Sequence, residues 1–291
     1  MAISYEELTT KHPCFARGEK GNKGRIHLPT SPTCNIECNF CERSINTYEK
    51  RPGVAATVIK PEEAIEAIEK ALKYCPDISV AGIAGPGDTL ASDYALQTFR
   101  LIREKFPQLV KCMSTNGLLL AQKAQEVIDT GIDSLTVTVN AVDPEIEAKL
   151  NAGIVWQGKH YTGVEAAEIL IEQQLKGIRL IAEAGITVKV NTVLVPDINA
   201  DHIEEIAKTV AEAGASIYNI IPLIPQHRLK DCREPNCMEI ERAIFKAQRY
   251  IDVFRHCQRC RADAVGIPGG EDFGDKIYLQ RLSRKDTFSH G

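Results

Sequence analysis

The sequence of 291 residues has no basic excess. Its 35 lysines and arginines stand against 39 aspartates and glutamates, a formal net charge of −4. That argues against a general polyanion-binding surface, so no nucleic-acid partner is expected. No apolar run approaches the roughly 20 residues that a membrane span needs. The opening MAISYEELTTKHPCF lacks the apolar core of a secretion signal, and a cytoplasmic chain without a membrane partner is expected. No internal repeat or low-complexity tract is present. The remaining composition, 44% hydrophobic and 25% charged, is that of an ordinary globular protein. One count is not ordinary: ten cysteines. In a reducing compartment, clustered cysteines bind metal or do redox chemistry more often than they form disulfides.

From about residue 25 onward, strand and helix patterns alternate. Strands are predicted over 25–30, 78–84, 109–114, 134–140, 187–195 and 216–224. Helices are predicted over 61–74, 91–106 and 120–130, and near 164–184, 200–213 and 238–254. Pro61, followed by Glu62 and Glu63, opens the first of these helices. Gly131, Gly185 and Gly214 stand where helices should end. Strands separated by helices imply right-handed crossovers and a parallel sheet. Six units are too few for a closed eight-stranded barrel, which leaves an α/β fold of open partial-barrel or doubly wound type. In either, ligands gather at the carboxyl ends of the strands. The domain organisation expected is an N-terminal extension over 1–24 carrying a cluster ligand, the barrel over 25–230, and a C-terminal helix with a cysteine-bearing extension over 231–291. The N-terminal 24 residues and the tail after Gly266 read as loop-like.

The sharpest signal follows the first strand: Cys34-Asn35-Ile36-Glu37-Cys38-Asn39-Phe40-Cys41. A C-x3-C-x2-C loop can hold three corners of a 4Fe–4S cube and leaves the fourth iron open, whereas ordinary ferredoxin clusters use four cysteines. The alternative is a zinc site or buried thiols, but structural zinc calls for four ligands. With an aromatic before its last cysteine, at the end of the first strand of a partial barrel, this loop resembles that of the radical S-adenosylmethionine (SAM) superfamily. The resemblance implies a partial (β/α)6 barrel with N- and C-terminal loop extensions. It also implies a 4Fe–4S cluster whose open iron binds SAM, and reductive cleavage of SAM to a 5′-deoxyadenosyl radical. The segment Gly85-Pro86-Gly87-Asp88 resembles the family's glycine-rich SAM contact, and Ser114-Thr115-Asn116-Gly117 a second SAM-facing strand end. Asn140 and Asn191 are placed to reach the ribose or carboxylate of SAM. Each of these is weak alone, and GPGD could be a simple turn.

A narrower resemblance covers nearly the whole chain. His12-Pro13-Cys14-Phe15, the segment from Arg25 to Pro29, Arg51-Pro52-Gly53-Val54, GPGD, VNTVLVP and Cys257-Gln258-Arg259-Cys260-Arg261-Ala262-Asp263-Ala264 together are similar to the NifB family of nitrogenase cofactor maturases. That resemblance implies a lyase-type enzyme of nitrogen fixation. The family fuses two 4Fe–4S clusters into an 8Fe core with a carbide and an added sulfur, one SAM giving a methyl group and another the radical. Many members carry a further C-terminal carrier domain, and this sequence resembles the short form. Two auxiliary 4Fe–4S clusters are implied, with ligand positions matched by Cys14, His27, Cys112, Cys257 and Cys260. Implied partners are cluster donors, an electron donor and a cofactor carrier or scaffold protein. His27 could instead be a satisfied core histidine, and Cys112 a buried apolar thiol.

The chain departs from the family pattern over residues 42–50, where many members carry another cysteine and this one has none. Cys232 or Cys237 could substitute, or no residue at all. Glu49 matches an acidic position that contacts SAM or handles a proton, and could equally be a solvated loop carboxylate. Cys75, at a helix end, reads as structural. Cys232 and Cys237 with Cys257 and Cys260 could alternatively form a zinc site. The other functions that fit are a radical SAM enzyme with auxiliary clusters acting on a peptide or small molecule, and a non-enzymatic iron–sulfur scaffold or carrier.

Overall fold

The computed structural model describes residues 3–16 and 22–278. Six parallel strands form its body: β1 (Gly24–His27), β2 (Ile78–Ile83), β3 (Val110–Thr115), β4 (Ser134–Thr138), β5 (Thr187–Leu194) and β6 (Ile217–Pro222), neighbours in chain order. The main helices are α1 (Pro61–Tyr74), α2 (Tyr94–Lys105), α3 (Leu120–Asp129), α4 (Gly163–Glu183), α5 (Ile203–Glu212) and α6 (Cys237–Ala247). Two short strands, β7 (Val253–Phe254) and β8 (Val265–Gly266), take the sheet edges, β7 parallel to β6 and β8 antiparallel to β1.

The side chains alternate with period two, as a pleated strand requires. One face carries Ile26, Ala81, Met113, Leu135, Val137, Val188, Val190 and Tyr218, packed in the main core with the helices. The other face is largely polar. His27, Gly82, Cys112, Ser114, Thr136, Lys189, Asn191 and Asn219 all line one cavity of about 320 Å³. A flat sheet would hold six strands about 24 Å apart from first to last, at about 4.8 Å per step. Residues of β1 and β6 line the same cavity, so the sheet is curved. It is a partial barrel with a polar concave face.

Four local features differ from the sequence reading. The last helix ends at Ala247, not near 254, and β7 follows it. The Tyr218 amide donates to the Asp252 carbonyl at 2.8 Å; a longer helix would leave that edge of β6 unpaired, which the backbone avoids. The N-terminal extension is not all loop: Tyr5–Lys11 is a helix, with the Ser4 side chain accepting from the Glu7 amide. The tail after Gly266 likewise contains the helix Gly274–Tyr278. Between β4 and α4, where no element was predicted, the chain inserts the helix Pro144–Leu150 and an antiparallel hairpin, Asn151–Trp156 with Lys159–Thr162. Gln157 and Gly158 turn that hairpin with positive φ of 50° and 77°, as a tight two-residue turn demands.

A cysteine-lined cavity as the candidate active site

The loop over 34–41 is fixed by backbone. Ile36–Cys38 pairs with the inserted hairpin, Ile36 opposite Ile154 and Cys38 opposite Asn151. The Asn39 amide donates to the Leu150 carbonyl at 2.8 Å, and the Cys41 amide to the Cys38 carbonyl at 3.1 Å. Burial raises all three thiols, Cys34 to about 11 and Cys38 well above its ordinary value, and Cys38 is raised again by Cys41 and Cys34. Arg43, itself buried, opposes these shifts. The Asn35 side-chain nitrogen is buried without a partner among the described residues. Three mutually coupled thiols, a buried cation and an idle donor fit a three-thiolate cluster and its small-molecule ligand. Arg43 was missed in the sequence; its only signal is its place two residues after Cys41.

The GPGD segment holds this loop in place. The Gly87 and Asp88 amides donate at 2.8 Å to the carbonyls of Ser31 and Thr33, on the approach to Cys34. A Cβ at Gly87 would lie 2.0 Å from the Thr33 oxygen, so that position has no room for a side chain. Gly85 sits at φ +126°, where glycine alone is comfortable. Asp88 turns its buried carboxylate to the Asn116 amide (2.6 Å), the Thr115 hydroxyl (2.9 Å) and the Leu90 amide (2.9 Å). Asn116 in turn donates from its side chain to the Asn35 side-chain oxygen at 2.7 Å. Asn140 accepts from the Val193 amide at 3.0 Å and joins β4 to β5. Asn191 lines the cavity and accepts from the Asn219 side chain at 3.0 Å.

Below the loop, the cavity floor is made by distant segments. Cys14, His27, Cys112, Cys257 and Cys260 all line it, as does Cys41 at the rim. Cys14, Cys112 and Cys257 pack with Phe15 and Phe254 in one apolar cluster. Cys112 is the third of six residues in β3, so this group lies below the strand ends where ligands were expected. Burial raises Cys14, and Cys112 to about 12, with Lys189 opposing both. His27 Nδ1 lies 2.9 Å from the Arg261 carbonyl, which can only accept. The ring proton is therefore on Nδ1, and Nε2 keeps its lone pair. Burial first, then Arg25, lowers His27 to about 4, so it stays neutral near pH 7.

Arg261 ties rim to floor. It forms a buried two-bond pair with Asp263 (2.8 and 2.9 Å) and donates to the Asn46 carbonyl at 2.8 Å and to the Glu49 carbonyl. Glu49 does not line the cavity. Its carboxylate accepts from Asn46 (2.7 Å) and Arg51 (2.9 Å), and Asn46 chiefly holds it below the usual range. Cys232 packs beside Leu229, away from the floor, and Cys237 is exposed at the start of α6. Neither lines the cavity with Cys257 and Cys260. Among the described residues, no three His, Cys, Asp or Glu are grouped to hold a single metal ion. Cys75 is buried in the core, 3.4 Å from where a Gly24 Cβ would stand.

Residues 28–210 match the radical SAM superfamily. The chain is 46% identical over 284 residues to the FeMo cofactor biosynthesis protein NifB of Methanocaldococcus infernus, covering 97% of this chain and 94% of that one. This chain belongs to the NifB family of radical SAM proteins. The NifB of Methanocaldococcus jannaschii is 44% identical, with 98% and 95% covered. The NifB of Azotobacter vinelandii is 39% identical over 93% of this chain, which spans only 55% of that longer protein. A radical SAM methyltransferase from Sphaerobacter thermophilus shares the fold, with a TM-score of 0.61 at 15% identity over 83% of this chain and 70% of that one. Membership of the NifB family carries with it a 4Fe–4S cluster and SAM. No helix among the described residues is long and apolar enough to cross a membrane.

Proposed function

We propose that this chain is a maturase that fuses two 4Fe–4S substrate clusters, with insertion of carbide and sulfur, into the 8Fe core precursor of the nitrogenase cofactor. The observation that carries this reading is one cavity with thiols at both ends: Cys41 at the rim and Cys14, Cys112, Cys257 and Cys260 with His27 at the floor. A radical enzyme without auxiliary clusters needs the rim and has no use for the floor.

In this reading Cys34, Cys38 and Cys41 hold the SAM cluster. When bound, that cluster and SAM supply a methyl group and a carbon-centred radical. The chain's own residues do the rest. Backbone at 85–87, with Asn116 and Asn191, would contact SAM when it is bound, and Asp88 and Asn140 keep the strand ends that present them in register. His27 offers a neutral nitrogen from Nε2, a ligand more readily displaced than a thiolate, which suits a product that must leave. Glu49, kept ionised by Asn46, can accept a proton and has none to give near pH 7. The walls keep water from the reacting atoms. Cluster donors, an electron donor, a carrier or scaffold protein for the finished core, and a cytoplasmic setting belong to the same reading.

Anaerobic reconstitution followed by metal analysis tests it. Three four-iron clusters require about twelve irons per chain. A value near four would remove the auxiliary clusters and leave a SAM-cleaving enzyme with another substrate.

A further inference from the structure

Two hydrogen-bond donors on the cavity floor have no task in the assignments above. His12, 4% exposed, lines the cavity. Its Nδ1 accepts from the Cys14 amide at 3.1 Å, so the neutral ring carries its proton on Nε2. That Nε2 is buried and has no partner among the described residues. Lys189, 5% exposed, lines the same floor. Its ammonium donates to the Cys14 carbonyl at 3.2 Å and stands over the rings of Phe254 (4.6 Å) and Phe15 (5.4 Å). Among the described residues no carboxylate pairs with it.

A buried cation without a counter-charge and a buried N–H without an acceptor are each costly. Both costs fall if an anion occupies the cavity beside them. The neighbouring groups say which anion. The floor offers Cys14 and Cys112, and a 4Fe–4S cluster held by thiolates is negatively charged and has sulfides that accept N–H bonds. We propose that Lys189 and His12 form an anion-binding wall that holds the 4Fe–4S substrate cluster on the Cys14 and Cys112 side of the floor. The Lys189 ammonium is its counter-charge, and the His12 Nε2–H donates to a sulfide or thiolate of the cluster. This rests on the auxiliary-cluster reading and deepens it. It also supplies what that side lacks, because Cys14 and Cys112 are only two thiols. Charge and hydrogen bonding keep in place a cluster that has fewer thiolates than usual.

The test uses the full chain, reconstituted without oxygen, and follows release to a chelator of the iron above the first four per chain, together with the midpoint potential of those clusters. Lys189→Met and His12→Phe should each speed that release about tenfold, the scale of one lost hydrogen bond to a charged group. Lys189→Met should also lower the potential, because a lost cation disfavours the added electron. Lys189→Arg should stay near the parent on both readouts, and His12→Gln, which keeps an N–H donor, should recover part of the retention. His12→Phe preserves the ring that meets Phe15 edge-on at 4.8 Å and carries the test if Lys189→Met does not fold. Release and potential unchanged in both variants, from a parent holding more than four irons, would overturn the wall alone. A parent with only four irons would overturn the auxiliary-cluster reading and the wall with it. Weaker SAM binding in Lys189→Met with auxiliary iron fully retained would assign the ammonium to the SAM carboxylate and overturn the proposal.

Discussion

The rim and the floor of the cavity are built on opposite plans. At the rim, three thiols come from one loop of eight residues, and backbone pairing to a neighbouring hairpin fixes that loop. At the floor, the groups come from the N-terminal segment, β1, β3 and the segment after β7, and they meet only when the whole sheet has curved. A local loop can form its site whenever it folds; a site assembled from four remote segments depends on every contact that closes the barrel. The two ends should therefore fail separately. The largest effect tests this directly. Cys38→Ala should abolish reductive SAM cleavage. The double change Cys257→Ala with Cys260→Ala should leave cleavage measurable while the fused 8Fe product is lost. Loss of cleavage in both, with both chains folded, would show that rim and floor are not separable.

Arg261 is where the two plans join, and its removal should be felt at both. Arg261→Met leaves Asp263 buried, 3% exposed, without its partner, and frees the carbonyls of Asn46 and Glu49. Breaking such a pair costs about 3–5 kcal/mol. Urea unfolding of the metal-free chain should show a loss on that scale, and iron content should fall at rim and floor together. A loss of about 1 kcal/mol or less would mean that the pair contributes little to either.

The same contrast explains what the sequence revealed. The six core strands and α1 were legible because period-two and period-3.6 patterns are local, and Pro61 and Gly131 mark ends by backbone chemistry alone. The cysteine loop was legible for the same reason. The hairpin that buttresses it was not: Asn151–Trp156 and Lys159–Thr162 are short, partly exposed strands beside a long amphipathic helix, and their pattern merges with it. Nor could the sequence tell that Asp88 turns its carboxylate to Asn116. A GPGD segment reads the same whether its glycine admits a ligand or the Thr33 carbonyl, and only the fold brings Thr33 there. Lys189 was passed over and His12 was given no role of its own, because one strand lysine and one histidine carry no chemical signal until curvature points them at the same thiols.

A smaller effect, with a definite pH sense, lies behind the rim. Glu147 is buried with one carboxylate oxygen unpartnered, and burial raises it from 4.5 to about 8. The folded chain thus holds a proton that the unfolded chain releases above 4.5. Where the folded state binds more protons, stability falls as pH rises. The contribution of Glu147 is therefore intact below about 4.5 and lost between there and about 8, by up to about 4 kcal/mol. Glu147→Gln removes this titration. Melting of the metal-free variant should match the parent near pH 4.5 and exceed it increasingly toward pH 8. A constant offset across that range would place the titration elsewhere.

The smallest effect concerns the cysteine missing from residues 42–50. Thr47 lies in the turn that Asn46, Glu49 and Arg261 hold together, and it does not line the cavity. Pro52 and Gly53, just beyond, do line it, and a Cβ at Gly53 would stand 3.9 Å from Cys41 Sγ. Gly53 has φ +78° and would be strained by any side chain, which leaves Pro52 as the usable position. A thiolate added at Pro52 faces the clusters, whereas one added at Thr47 is turned away by the Arg261 clamp. Pro52→Cys should therefore slow the loss of auxiliary iron to a chelator by a few-fold, the scale of one modest added interaction. Thr47→Cys should leave it unchanged. The reverse order would mean that the turn over 46–49 reaches the cavity once the clusters are in place, and that the separation of rim from floor ends at Arg261.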